Sequence, residues 1–185
     1  MSTVAHFTLA EYEHMVEVGV FSGPFRKRVE LIRGEIVEMT PIGTRHSEVV
    51  SRLAEWSHAA LTNQRARVRI QSPIRIPHNE SEPEPDNTWV DQKDYSLRHP
   101  EPNEIRLIVE VADTSLDDDR GYKLAVFAEA GIPEYWIVNL IDEQIEVCRN
   151  PIRREYQEKS IYCDDAQISP LAHSAATIQP SQLFD

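Results

Sequence analysis

Three side chains have the types and spacing to do chemistry together: Asp86, Glu110 and Lys123. Asp86 closes the motif Glu84-Pro85-Asp86, and Glu110 interrupts an apolar, strand-like run from 105 to 111. Lys123 follows Glu110 by thirteen residues, on the next predicted helix. A carboxylate buried without a partner costs several kcal/mol or takes up a proton, so a buried Glu110 predicts a cation nearby. The alternative is a solvated glutamate at the end of a strand.

Two carboxylates and one ammonium group are the groups needed for metal-assisted attack of water on a phosphodiester. Hard divalent ions such as Mg²⁺ or Mn²⁺ prefer carboxylate oxygens and need few protein ligands when phosphate and water supply the others. A nearby ammonium group orients the water or stabilises the developing charge. Asp86 and Glu110 are therefore the predicted metal ligands and catalytic acids, and Lys123 the predicted catalytic cation. The alternative for Lys123 is a surface ion pair with Asp119, four residues earlier.

Several segments together resemble the Uma2 family of restriction endonucleases, a branch of the PD-(D/E)XK nuclease superfamily. The resemblance implies a restriction-endonuclease-like fold, a divalent metal and a DNA substrate. The superfamily's acid-X-Lys signature is interrupted, because Ala112 stands where the lysine is expected. The resemblance transfers that role to Lys123 on the following helix. The segments that carry it are Val29 to Glu35, His46, Glu84-Pro85-Asp86, Val109-Glu110-Val111, Asp119 with Lys123, and Gly131 to Val138.

Glu35 is a fourth candidate, in a predicted hairpin whose turn is Arg33-Gly34. Strand alternation places Glu35 on the same face as Val37 and Met39. The pattern alone is equally typical of a solvated acid at a strand end. The family resemblance favours Glu35 as a supporting acid near the metal.

Arg67, Arg69 and His46 are the candidates for contact with nucleic acid. The two arginines alternate with apolar residues in a predicted strand from 65 to 77, which gives that strand one basic face. His46 lies in the first turn of the helix predicted over 45–61, the most regular amphipathic pattern in the chain. Solvent exposure is the alternative for the arginines, and a hydrogen-bonded or solvated side chain is the alternative for His46.

The net charge of −12 opposes strong binding to a polyanion, because such binding depends on Lys and Arg neutralising phosphates. The charge is unevenly distributed. Residues 1–80 hold ten Lys/Arg and nine Asp/Glu, whereas residues 81–185 hold nine and twenty-two. We therefore expect weak or transient contact with DNA, or a basic face contributed mainly by the N-terminal half.

The order of the predicted elements indicates one α/β domain over residues 1–185, with a mixed central sheet flanked by helices. The strand at 105–111, the helix after Asp117 and the strand at 134–140 predict a parallel, right-handed βαβ unit. Long apolar runs and a secretory leader are absent from the sequence, and the two cysteines lack metal-ligand spacing. We therefore expect a cytoplasmic protein without membrane segments. The resemblance implies a homodimer, since cutting both strands of DNA needs two sites.

Two other functions stay open at this point. The fold could serve as a non-catalytic nucleic-acid-binding or regulatory module, in which case Lys123 would point away from the carboxylates. Alternatively, the paired carboxylates could act as acid and base on a glycoside, which requires a carboxyl separation of about 5 to 9.5 Å.

Overall fold

The computed structural model describes residues 4–23, 27–62 and 64–184. Its main element is a six-stranded sheet with helical segments on both faces, and a two-stranded hairpin packs beside it. The helices are α1 (Leu9–Glu17), α2 (Thr44–Ala60), α3 (Leu116–Asp118), α4 (Leu124–Glu129) and α5 (Ser181–Phe184). The strands are β1 (Val29–Ile32), β2 (Glu35–Glu38), β3 (Ala66–Ile70), β4 (Asn87–Asp91), β5 (Ile105–Ala112), β6 (Glu134–Asn139), β7 (Gln144–Ile152) and β8 (Glu155–Cys163).

The large sheet has the strand order β3-β4-β5-β6-β7-β8. Its neighbouring strands are antiparallel except for β5 and β6, which run parallel with Glu110 opposite Ile137. The chain between β5 and β6 forms α3, one π-helical turn (Asp119–Lys123) and α4. The mixed α/β fold and the parallel βαβ unit predicted from the sequence are therefore confirmed.

The sheet is covered on both faces, which explains why β5 and β6 are almost continuously apolar. On one face, Ile108 packs in a core cluster with Phe127 of α4. On the other face, Leu107 packs in a second cluster with Leu53 of α2. Glu110 lies on the same face as Ile108, because side chains alternate along a strand. It is therefore buried beneath the helical crossover, with 3% of its surface exposed.

The hairpin of β1 and β2 is fixed in place by the segment that leads to β4. The backbones of Leu31 and Glu82 exchange two hydrogen bonds, of 2.7 and 3.4 Å. Gly34 in the hairpin turn has φ +78°, and a Cβ there would lie 3.0 Å from the carbonyl oxygen of Phe7. A side chain at this position would therefore be strained and crowded. This packing holds β1 beside the Glu84-Pro85-Asp86 motif.

The strand predicted over residues 65–77 is shorter in the structure. Strand β3 ends at Ile70, and Gln71 adopts φ +43°, outside the extended region. The turn brings the Gln71 side chain to Asp86. In the described part of the chain, no helix is long and apolar enough to cross a membrane.

Candidate active site

Asp86 and Glu110 are held together by reciprocal hydrogen bonds between their strands. The backbone N–H of Asp86 donates to Glu110 Oε2 at 3.1 Å. The backbone N–H of Val111, the neighbour of Glu110, donates to Asp86 Oδ2 at 2.9 Å. Asp86 immediately precedes β4 and Glu110 lies near the end of β5, so the antiparallel pairing of these strands brings the two carboxylates to one end of the sheet.

Two further side chains fix the Asp86 carboxylate. Gln71 Nε2 donates to Asp86 Oδ1 at 3.1 Å, and His46 Nε2 lies 3.1 Å from Asp86 Oδ2. Burial alone would raise the pKa of Asp86, but the contact with His46 and the hydrogen bonds from Val111 and Gln71 hold that pKa below its usual value. Asp86 is therefore an ionised carboxylate with a fixed orientation.

Lys123 lies at the centre of three buried carboxylates. Its Nζ is 2.9 Å from Glu110 Oε1, 3.5 Å from Asp119 Oδ1 and 3.8 Å from Glu30 Oε1. Asp119 and Lys123 bound the π-helical turn, and the hydroxyl of Tyr135 on β6 donates to the carbonyl oxygen of Asp119 at 3.2 Å. Such widened turns recur at functional sites. The turn faces the sheet, which directs Lys123 at Glu110.

The Ser115 hydroxyl does not cap the helix that follows it. Instead it donates to Asp119 Oδ2 at 2.7 Å. Asp119 Oδ1 is buried and has no hydrogen-bond partner within the described residues. The serine thus orients a carboxylate toward Lys123.

The charges in this cluster shift one another's pKa values strongly. Burial raises the pKa of Glu110 well above its ordinary value in spite of Lys123, and Asp86, Asp119 and Glu30 raise it further. Burial also raises the pKa of Asp119, against the opposing effect of Lys123. For Lys123, burial favours the neutral form, but the surrounding carboxylates outweigh it and raise the pKa well above its ordinary value. The surrounding carboxylates therefore favour the charged form of Lys123.

Glu30, which was not a candidate from the sequence, lies in the cluster, whereas the candidate Glu35 lies outside the cavity lining. Glu30 is 3% exposed and accepts a hydrogen bond from the backbone N–H of Glu84 at 3.3 Å. The Glu35 side chain is 56% exposed and lies 3.8 Å from His6. Glu30 pairs with Val37 across the hairpin, whereas Glu35 lies at the turn end of β2, opposite Ile32. The hairpin acid that approaches Lys123 is thus on β1. Strand β1 has only four residues, and its sequence pattern did not indicate that the Glu30 side chain would be buried.

Arg67 and Arg69 lie on the edge strand β3, outside this cluster. They flank the ring of Tyr95, with guanidinium carbons 6.0 and 5.8 Å from its centre. Neither arginine forms an ion pair with another described residue. His46, in contrast, is placed inside the cluster by the first turn of α2. Of the three residues expected to contact nucleic acid, one therefore lies in the site and two lie on a neighbouring edge.

The cluster forms the floor of a cavity of about 300 Å³. Its lining includes Asp86, Glu110, Asp119 and Lys123, which we call the acidic floor, and the loop that follows β2. Across residues 4–23, 27–62 and 64–184, no three His, Cys, Asp or Glu side chains are grouped to hold a metal ion by themselves. Mg²⁺ does not require such a group, because it commonly uses one or two carboxylates and completes its shell with water and phosphate. Asp86 and Glu110 are two carboxylates of this kind in the cavity lining.

A six-stranded mixed sheet with an acid pair and a lysine at one end is the arrangement of a restriction-endonuclease-like nuclease. Over residues 9–179 the sequence matches the family described as "Uma2: Putative restriction endonuclease", and the chain belongs to that family. The resemblance noted from the sequence is thus confirmed.

A solved structure gives independent support for the fold. It is a crystal structure described as "a putative nuclease belonging to DUF820" from Anabaena variabilis ATCC 29413. The similarity covers 96% of this chain and 97% of that chain, with a TM-score of 0.73 and 16% sequence identity. No curated protein matches the sequence.

Proposed function

We propose that this protein is a divalent-metal-dependent endonuclease that hydrolyses phosphodiester bonds in DNA. The observation that carries the proposal is the buried pair of Asp86 and Glu110, locked to each other's strands, with Lys123 directed at Glu110. Burying this many carboxylates has a large electrostatic cost. Buried carboxylates with shifted pKa values, placed beside a cavity, are typical of functional sites. Their position at the end of the sheet therefore supports the assignment of a cation site.

Asp86 and Glu110 would hold Mg²⁺ or Mn²⁺. When bound, such an ion neutralises phosphate charge and lowers the pKa of its water. Lys123 is protonated, so its role is to orient the nucleophilic water and stabilise the developing negative charge, not to remove a proton. Glu30 and Asp119 position the Lys123 ammonium group, and His46 and Gln71 position Asp86.

Arg67 and Arg69 would contact phosphates that flank the cleaved bond. Their guanidinium groups have no carboxylate partner among the described residues, and β3 is an edge strand. Burial and the neighbouring Arg67 lower the pKa of Arg69, which is the direction expected for two cations that lack an anion. We also propose that the enzyme acts as a homodimer, as the family resemblance implies.

The non-catalytic alternative is less well supported. A binding or regulatory module without activity was expected to turn Lys123 away from the carboxylates. Lys123 Nζ instead donates to Glu110 at 2.9 Å and is 8% exposed. This contact favours the enzyme.

The direct test is nicking of supercoiled plasmid in Mg²⁺ or Mn²⁺ by the wild type and by Asp86→Asn. The wild type is expected to nick the plasmid and to stop when the metal is chelated, and Asp86→Asn to lose at least about 100-fold in rate. Glu35→Gln is the matched control, because Glu35 is exposed and lies outside the cavity lining. Equal activity of the wild type and Asp86→Asn would contradict the proposal.

A further inference from the structure

The cavity is strongly acidic, and its cations are all engaged. Eight carboxylates line it, against two Lys/Arg side chains and one histidine. Arg28 pairs with Glu84, Lys123 with Glu110, and His46 with Asp86. Among the described lining residues, no cation is therefore left to neutralise further phosphates, and the contacts proposed for Arg67 and Arg69 lie outside the lining.

Five apolar or aromatic side chains line the cavity together with the carboxylates. We call this set the apolar wall; it consists of Val37, Met39, Pro41, Ile42 and Tyr122. Val37 and Tyr122 pack against the main core, and Ile42 is 38% exposed. A nucleobase has flat, weakly polar faces that pack against such side chains. The wall and the acidic floor therefore suit the two ends of a nucleotide, the base on the wall and the metal-bound phosphate on the floor.

The volume of about 300 Å³ is at the lower end of the range for sites that enclose small ligands, roughly 300–1,000 Å³. Proteins that bind intact duplex DNA use broad, basic surfaces of about 1,000–2,500 Å². A base that is paired within a duplex reaches a concave pocket after it leaves the stack, and this step costs a few kcal/mol unless the base is already unpaired.

We propose that the preferred substrate of this site is an unpaired DNA strand, and that the base next to the cleaved phosphate packs on the apolar wall. This inference rests on the proposed nuclease function and adds the class of substrate. Binding energy comes from the base and the metal-bound phosphate, with few flanking phosphates. Affinity for a single strand therefore depends weakly on salt, with a slope of log K against log[salt] no steeper than about −2, since each neutralised phosphate contributes about −0.7.

Cleavage of two circles of the same sequence tests the inference, one single-stranded and one a relaxed duplex, in Mn²⁺. We expect the single-stranded circle to be cut at least about tenfold faster. Equal or faster cutting of the relaxed duplex would overturn the inference and leave the nuclease proposal standing. If the enzyme cuts neither circle, nor supercoiled plasmid, the proposed function fails together with the inference.

The apolar wall is tested separately by Ile42→Ala, with Ile161→Ala as the matched control. Ile161 is also exposed, at 62%, but it lies on β8 outside the cavity lining. We expect Ile42→Ala to raise KM for the single-stranded circle about fivefold with little change in kcat, and Ile161→Ala to change neither. Fluorescence anisotropy of a labelled oligothymidylate, with Ca²⁺ in place of Mn²⁺, measures the same loss as binding. An unchanged KM and affinity in Ile42→Ala, or a salt slope much steeper than −2, would overturn the inference.

Discussion

Lys123 Nζ lies 2.9 Å from Glu110 Oε1, although the two residues belong to different elements and are thirteen positions apart. The usual superfamily arrangement places acid and lysine on one strand, two residues apart. Here Ala112 occupies the strand position, and a π-helical turn in the crossover carries the lysine back over the carboxylate. The contact therefore comes from two elements that pack together, not from one strand.

The first prediction concerns stability, because Lys123 is the cation shared by Glu30, Glu110 and Asp119. Lys123→Met removes that cation and leaves buried carboxylates unpaired, so we expect the free energy of unfolding to fall by about 3 kcal/mol. Urea unfolding at neutral pH measures the change. Lys93→Met is the control, since Lys93 pairs with Glu104 but is half exposed, and we expect little effect. A Lys123→Met variant as stable as the wild type would show that the ammonium group does not compensate the negative charge of the buried carboxylates.

The second prediction separates the acid in the structure from the acid expected from the sequence. Glu30→Gln weakens the hold on Lys123, so we expect plasmid nicking to fall at least about tenfold. Glu35→Gln alters an exposed side chain beside His6 and is expected to leave the rate unchanged. A double-mutant cycle with Lys123→Arg gives a further readout. If Glu30 and Lys123 act through one contact, Lys123→Arg should reduce the nicking rate less in the Glu30→Gln background than in the wild type. Loss of activity in Glu35→Gln with retention in Glu30→Gln would reverse the assignment.

The contrast between Glu30 and Glu35 shows what a sequence pattern specifies. The turn signal and alternation correctly predicted the hairpin, and short apolar runs predicted β5 and β6. These features depend on local spacing. The burial of Glu30 depends on how the hairpin packs on the rest of the protein. That packing is fixed by the backbone hydrogen bonds between Leu31 and Glu82, which are far apart in the sequence.

The same reasoning explains Lys123 and Ser115. The sequence pattern after Asp117 was equally compatible with a surface ion pair between Asp119 and Lys123. The π-helical turn that directs Lys123 inward is fixed by Tyr135, on the next strand, and by the serine that contacts Asp119. Such tertiary contacts have no signature in spacing; the residue types and the family resemblance made Lys123 a candidate, and the structure supplies its contacts.

The third prediction concerns pH and a residue outside the active site. Burial and the neighbouring Glu13 raise the pKa of Glu82 from an ordinary value of 4.5 to about 7. An acid with a raised pKa in the folded state binds more protons folded than unfolded between these values. Stability from protonated Glu82 is therefore present below about pH 4.5 and is lost as the pH rises to about 7.

Glu82→Gln removes this dependence. We expect the free energy of unfolding of Glu82→Gln, relative to the wild type, to increase by about 2 kcal/mol between pH 4.5 and pH 8. Urea unfolding across that range measures the difference, with Glu155→Gln, an exposed residue on β8, as the control. A difference that stays constant with pH would show that Glu82 titrates normally.

The fourth prediction concerns Arg67 and Arg69, which flank Tyr95 at the edge of the sheet. Replacing both with Gln removes two charges that would contact flanking phosphates. We expect affinity for a labelled oligonucleotide to fall and the magnitude of the salt slope to decrease by about 1 to 2. Replacing Arg153 and Arg154, exposed in the β7–β8 turn, with Gln is the charge-matched control. An equal loss in both double variants would indicate a general charge effect in place of a contact at β3.

The central claim is that Asp86 and Glu110 hold a divalent metal ion. Its most direct test is calorimetric titration of Mg²⁺ and Mn²⁺ into the wild type and into Glu110→Gln, paired with nicking of supercoiled plasmid. We predict that the wild type binds metal and nicks the plasmid, and that Glu110→Gln loses both. Failure of the wild type to bind either ion at about millimolar concentration, or binding that is unchanged in Glu110→Gln, would contradict the assignment of this site as a metal-dependent nuclease centre.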